Sequence, residues 1–375
     1  MRGLIWTLAG LFAAGPLLAQ EEGGGATCEA VFADLANRFP VTLEQCEPQE
    51  VSYSLEDCTP PTSFTPGAVT THIILAIDAS GSMAGAAGSL SKMEAAKREG
   101  RSFLADVHED IAVGLMVYGH KGTNQPEGKA ESCAAREMVH GFDAPRDALE
   151  GAIAALRPVG YTPIAGALEE AGRIIAALPE GAQEGEGPVP VVYLISDGEE
   201  TCDGDPVAAA RALIEGGVKT TVNTIGFAVN AQTEAQLQAI AEAGGGTYYP
   251  AEDASALQRQ LDAIKEAENS RHRHAYCVDL NAGRIAAATN NEVQRITACY
   301  QQNGPTALRG GTNAFFRDAQ REGRPEAACA GKVQLMVTRH LSDSSRWLAD
   351  RTKALNDKAL AEVQAYREGA GLGAE

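Results

Sequence analysis

Several signatures of chemistry are missing from this 375-residue sequence. No two of its eight cysteines stand in a C-x-x-C pair, which excludes a zinc ribbon and a thioredoxin-type redox site. No G-x-S-x-G elbow and no Walker loop occurs, so neither a hydrolase nucleophile turn nor a phosphate cradle is present. After residue 19 no apolar stretch is long enough to cross a bilayer. Basic residues are scarce: 31 Lys and Arg stand against 50 Asp and Glu, a formal charge of -19. Such a chain is a poor partner for nucleic acid or an anionic membrane surface.

What is present begins with an export signal. Residues 1–19 carry one basic residue, Arg2, then an apolar stretch ending in Leu17-Leu18-Ala19. This predicts a signal peptide cut before Gln20, with an uncleaved anchor as the alternative. No cysteine follows the cut to carry a lipid. The mature chain is expected to be exported, periplasmic or extracellular, and without a transmembrane segment. An even cysteine count in an exported chain favours disulfides.

The charge is unevenly placed. Residues 1–270 hold 16 basic and 39 acidic side chains, a net of -23; residues 271–375 hold 15 and 11, a net of +4. That step predicts a boundary near 270. Ahead of residue 70, one short helix is expected over 28–39, followed by an extended linker marked by Pro60, Pro61 and Pro66. The expected division is a signal peptide (1–19), an N-terminal extension (20–69), a central domain (70–268) and a C-terminal, mainly helical region (269–375).

From residue 72 the pattern alternates strand and helix. Apolar runs at 72–77, 111–118, 189–196 and 219–227 read as buried strands, with an edge strand at 137–142 and a short one at 246–249. Helices are expected over 92–107, 145–156, 163–178, 206–215, 233–243 and 253–268. This order implies a doubly wound, mostly parallel sheet covered on both faces. Ligands in such sheets sit at the carboxyl ends of the strands, where strand order reverses.

Three loops at that end carry oxygen ligands. The first is Asp78-Ala-Ser80-Gly-Ser82, directly after the opening strand. The second holds Thr162 in Gly-Tyr-Thr-Pro-Ile, and the third Asp197 in Ser-Asp-Gly. Each has a simpler reading: a polar turn for the first, a helix cap for Thr162, a turn former for Asp197. Hard oxygen donors on tight turns also suit a hard cation such as Mg²⁺.

In these three motifs, and in the order of elements that joins them, residues 70–268 resemble the von Willebrand factor type A domain family. The stretch 197–206, paired with Tyr118-Gly-His-Lys, looks most like a bacterial exported subgroup. The resemblance implies a six-stranded sheet in the order 3-2-1-4-5-6 with one antiparallel edge strand. It also implies a complete metal-ion-dependent adhesion site of Asp78, Ser80, Ser82, Thr162 and Asp197, holding Mg²⁺, or Mn²⁺ or Ca²⁺. With only two carboxylates facing the ion, the open position favours an Asp or Glu presented by a protein partner. The expected function is cation-dependent binding in adhesion or envelope assembly; the alternative is a regulatory or substrate-presenting subunit of an envelope enzyme. An enzymatic role is not expected. Hydrolysis would need a base on a metal-bound water, and the nearby candidates are His120, Glu199 and Glu200. The acidic loop of Glu199, Glu200, Asp203 and Asp205 reads as a solvated face rather than a second cation site, and His272 and His274 as linker residues rather than ligands.

The cysteines pair by position. Cys133 and Cys202 follow strands on either side of the central one, about 10 Å apart at the same sheet end, within reach of their loops. Three cysteines then remain on each side of the domain, so full oxidation demands at least one cross-link. Cys58–Cys277 is the expected one, with Cys28–Cys46 and Cys299–Cys329 as local bonds. The two extensions should form one pedestal away from the metal. In the tail, a helix is expected at 291–301, a strand at 333–338 and a long amphipathic helix at 342–368.

Overall fold

In the computed structural model, residues 27–60, 70, 72–178, 190–215, 220–303 and 305–372 are described. The expected signal peptide, the prolines at 61 and 66 and the turn at 181–188 lie outside them. The described chain forms two compact units, one of residues 52–288 with 358–372, the other of residues 27–51 with 289–357.

The first unit is built on a six-stranded sheet. Its strands are β1 (His72–Asp78), β4 (Ala112–Tyr118), β5 (Arg136–His140), β6 (Val191–Ser196), β7 (Thr221–Phe227) and β8 (Gly245–Ala251); β2 (Ala86–Ala87) and β3 (Leu90–Ser91) form a separate small hairpin. The sheet order is β5-β4-β1-β6-β7-β8. Only β5 runs antiparallel, against β4. Counted within this sheet, that is the order 3-2-1-4-5-6. Helices α2 (Lys92–Asp106), α3 (Lys129–Ala134), α4 (Arg146–Ala155), α5 (Ile164–Ala176), α6 (Pro206–Glu215) and α7 (Ala231–Ala243) connect the strands.

Side-chain alternation shows why the strand runs are apolar throughout. Ile73, Leu75 and Ile77 of β1 face one core cluster with Phe103, Leu104 and Ile153. Ile74 and Ala76 face the other, with Leu168, Ala171 and Leu237. Both faces are covered, so from Ile73 to Ile77 no position on β1 is free to be polar, until the chain leaves the sheet at Asp78. Each fully buried Leu or Ile contributes about 1.5–3 kcal/mol.

Helix α8 (Ala254–Asn303) is 50 residues long and contributes to both units. It runs unbroken through residue 270, where the charge balance changes sign, and absorbs the helices expected at 253–268 and 291–301. The second unit adds α1 (Cys28–Arg38), α9 (Pro305–Arg321) and most of α10 (Ala330–Gly369). Val31, Leu35, Leu308, Phe316, Val333, Val337 and Leu341 form its core. The strand expected at 333–338 is part of α10. Val333, Val337 and Leu341 recur every four residues and bury one helical stripe, which overrides the β-propensity of the two valines.

Cys133 pairs with Cys202 and Cys58 with Cys277, as the topology and the parity of cysteines suggest. The two local bonds are not formed. Cys28 pairs with Cys329 and Cys46 with Cys299 instead. A helix stands inside each rejected pair. Cys28 is the first of the 11 residues of α1 and Cys46 lies beyond its end, so the rest of the helix, about 15 Å of rise, separates them. Helix α9 intervenes likewise between Cys299 and Cys329. All three bonds outside the sheet therefore join the N-terminal extension to the C-terminal region.

Candidate functional site

The carboxyl ends of β1 and β6 meet where the strand order reverses, because β4 and β6 flank β1 on opposite sides. The last residue of β1 is Asp78, fully buried. Its Oδ1 accepts the Ser80 N–H at 2.7 Å, and its Oδ2 accepts the Ser196 hydroxyl at 2.7 Å. The chain then turns through a single 3-10 turn, Gly81–Ala84, which brings Ser82 back over Ser80 with their hydroxyls 2.9 Å apart. Ser82 donates to Asp197 Oδ1 at 2.6 Å. Asp78, Ser80, Ser82 and Asp197 thus lie on one chain of short polar contacts.

Thr162 reaches the same point from the loop before α5. Its backbone is clamped to the Asp197 loop: Thr162 N–H donates to Thr201 Oγ1 at 2.7 Å, and Thr201 N–H to Thr162 O at 3.1 Å. Its hydroxyl does not cap α5, whose N-cap is Pro163. That role falls to Glu200, whose carboxylate accepts from Ala165 N–H and Cys202 N–H at 2.8 and 2.7 Å. A Cβ placed on Gly198 would lie 3.5 Å from Thr162 Oγ1 and 3.6 Å from Ser82 Oγ, so the threonine stands beside the serine and the aspartate loop. All five candidate ligands are brought together.

The neighbouring loops are fastened to this floor. Ala79 O accepts from Val159 N–H, and Gly160 O from Gly81 N–H, both at 2.8 Å. Gly119 sits at φ +69°, and a Cβ there would come 2.2 Å from Tyr161 O. Only glycine allows that approach. Cys133–Cys202 ties α3 to the loop after Asp197, and Lys129 pairs with Asp203 across the same gap at 2.9 Å.

Burial and the Asp197 carboxylate push the Asp78 carboxyl up to about 7, against the pull of the Ser80 and Ser196 hydrogen bonds. Two carboxylates crowded out of water are unfavourable unless a cation joins them. The three hydroxyls beside them add neutral oxygen donors and no nitrogen or sulfur. This donor set fits a hard divalent ion.

Two residues that sequence reasoning missed complete the site. Lys92 donates from Nζ to Asp197 Oδ2 at 2.9 Å and to Ala228 O at 3.1 Å. Ser196 holds Asp78. Neither has a local signal: Lys92 reads as the first residue of a helix, and its partner lies 105 residues away.

The candidate bases are engaged elsewhere. Besides Glu200, Glu199 accepts from Gln232 Nε2 at 2.8 Å, and His120 Nε2 lies 2.8 Å from Glu137 Oε1. Asp205 accepts from Ala208 N–H at 3.0 Å at the start of α6. The acidic loop is thus spent on caps at Glu200 and Asp205, an ion pair at Asp203 and neutral hydrogen bonds at Glu199. His272 and His274 both lie within α8, and His274 Nε2 is 3.1 Å from Ala370 O.

Fold and site together define a doubly wound α/β domain with an oxygen-lined cleft at its switch point, and the chain belongs to the von Willebrand factor type A domain family. That family's model matches residues 72–263. The chain is 38% identical over 181 residues to the uncharacterised protein YwmC of Bacillus subtilis (strain 168), covering 48% of this chain and 76% of YwmC. It is 36% identical over 199 residues to YwmD of the same strain, covering 53% of this chain and 85% of YwmD. Among solved structures, a von Willebrand factor type A protein from Catenulispora acidiphila is similar at 20% identity and a TM-score of 0.40. The match covers 54% of this chain but only 43% of that protein.

Proposed function

We propose that this protein is an exported binding module that grips an acidic group of a protein partner through a divalent cation, in adhesion or envelope assembly. The convergence of Asp78, Ser80, Ser82, Thr162 and Asp197 at the switch point carries this reading. Asp78 and Asp197 would neutralise the ion, and the three hydroxyls would fill further positions. Mg²⁺ is the proposed ion, with Mn²⁺ and Ca²⁺ as its hard-oxygen equivalents. A bound dication would supply a coordination position open to a carboxylate oxygen from another molecule.

Ser82 is exposed while Asp78, Ser80, Thr162 and Asp197 are buried, so the site is approached from the Ser82 side. The surrounding chain is strongly acidic, and long-range steering opposes an acidic partner. A partner's Asp or Glu is therefore best presented on a neutral or basic surface. Binding is favoured over catalysis because Glu199, Glu200 and His120 are each held by other groups. Export is supported by four disulfides with no free cysteine among the described residues, a pattern of oxidising compartments. No described helix is long and apolar enough to cross a membrane.

Calorimetry with Mn²⁺ tests the reading. Asp78→Ala should abolish binding while the circular dichroism of the fold is retained, since both core clusters are independent of that carboxylate. An unchanged Mn²⁺ affinity in the variant overturns the metal assignment. Retained metal binding with no Mg²⁺-dependent, EDTA-sensitive capture of an envelope protein overturns the adhesive role alone.

A further inference from the structure

The opposite end of the sheet carries a second cluster of ligating side chains. The turn from α2 into β4 runs through His108, Glu109 and Asp110, closed by Ile111 N–H donating to His108 O at 3.0 Å. This turn is bolted in place from two sides. Asn269 of α8 accepts the His108 N–H at 2.7 Å and donates to Asp106 O at 2.9 Å. Arg146 donates to Leu104 O and His108 O, each at 2.7 Å. One helical turn beyond Asn269, on the same face of α8, stands His272.

We infer that His108, Asp110 and His272 form a second metal site, selective for a divalent transition ion such as Zn²⁺. His272 Nε2 lies 3.2 Å from Asp110 Oδ2; His108 Nδ1 lies 3.7 Å from the same oxygen and accepts the Asp110 N–H at 3.3 Å, a long contact that an ion would replace. One donor atom from each residue falls within 4.8 Å of the others. Bonds of about 2.0–2.2 Å to a tetrahedral ion give ligand-to-ligand edges of about 3.3–3.6 Å. The two carboxylate distances bracket that edge, and the exposed Asp110 side chain is free to adjust. The imidazole rings are 4.0 Å apart between centroids and inclined at 35°, so they converge toward one edge.

The chemistry differs from that of the oxygen-lined site. Two imidazoles and one carboxylate suit zinc, nickel or copper, whereas magnesium and calcium prefer an all-oxygen shell. Two stacked imidazoles repel one another when both are protonated, and sharing a metal needs both neutral. Burial and the neighbouring His108 hold His272 below the usual histidine range, against the pull of Asp110. His272 Nδ1 is buried without a hydrogen-bond partner among the described residues, so Nε2, which faces Asp110, is the nitrogen open to a metal. Asp110 and His108 are more open, leaving a fourth position for water or a partner's side chain. The ion would staple the α2–β4 turn to α8.

Titration of the whole oxidised protein with Co²⁺, in millimolar Mg²⁺ to hold the oxygen-lined site, tests this. One equivalent should give the intense visible bands of a four-coordinate ion, displaced by Zn²⁺. Those bands should persist in Asp78→Ala. They should vanish in His272→Gln and in His108→Gln, with affinity reduced at least roughly 100-fold, and weaken in Asp110→Asn. Thermal unfolding in EDTA checks that the variants fold; His108 and Asp110 lie at the surface, so their variants report even if His272→Gln does not fold. The assignment is overturned if no such bands form, if they survive the histidine substitutions, or if they are lost in Asp78→Ala. Because Asp78→Ala separates the two ends of the sheet, this result stands apart from the adhesive reading.

Discussion

In the sheet unit, buried apolar side chains form one large cluster on each face of six strands and a third, small one around Val278. In the helical unit they form one small cluster, and Cys329 is itself a member. The buried polar side chains differ as well. The sheet unit buries Asp78, Lys97, Glu99, Asp197 and Glu268, whereas those of the helical unit are the hydroxyls of Thr289, Thr312 and Ser344. Each unit holds two disulfides, but the sheet unit sets them beside a large core with charge inside it, whereas the helical unit has little core beside its two. A small core rarely suffices alone, and covalent links take up the shortfall.

The largest effect should come from the staples. Replacing Cys28, Cys46, Cys299 and Cys329 together by Ser should cost the helical unit about 3–5 kcal/mol or leave it unfolded. Hydrogen exchange should then show α1 and α9 unprotected while β1, β4 and β6 keep their protection. Equal loss in the strands would break the contrast between the units.

A smaller loss is expected at Lys92. Its ammonium pairs with an Asp197 side chain that has no exposed surface. Lys92→Met should destabilise the metal-free sheet unit by about 2–4 kcal/mol, because a buried charge loses its partner. Added Mn²⁺ should recover most of that loss, read as a rise in melting temperature. No recovery would separate the Lys92–Asp197 pair from the metal site.

The smallest effect has the opposite sign. Asp78 has its carboxyl raised from 3.8 to about 7 in the folded state. Folding therefore favours the protonated form, and its contribution is complete below about pH 4 and lost as pH rises through 7. Asp78→Asn should stabilise the metal-free protein by about 1–3 kcal/mol at pH 8, with the gain fading toward pH 4. Melting curves in EDTA across that range check it. A variant less stable than the parent at pH 8 would mean that the lost hydrogen bonds outweigh the removed charge. A gain would show the floor of the site held at a cost in stability, as binding sites commonly are.

The two units were unequally legible. Strands β1, β4, β6 and β7 announce themselves because burial on both faces leaves near-continuous apolar runs. The five candidate ligands were legible as three motifs ending strands or preceding a helix. Lys92 and Ser196 were not, because their roles depend on partners more than 100 residues away. The helical unit was read least well. Val333 to Thr338 looks like a strand until Leu341 is included in the stripe. Cys28 and Cys46 look like neighbours until α1 is seen as a rigid spacer. Parity required one cross-link between the extensions and could not tell that there are three.

The pairings have a further consequence for how the chain withstands damage. Cys28–Cys329 encloses Cys46–Cys299, which encloses Cys58–Cys277, which encloses Cys133–Cys202. The bonds are nested like brackets, with no crossing. A single proteolytic nick anywhere between Cys28 and Cys329 therefore releases nothing, since at least one bond spans the cut. In any oxidising compartment, where reductants are scarce, a nicked copy would stay in one covalent piece. Fragments would separate only after reduction.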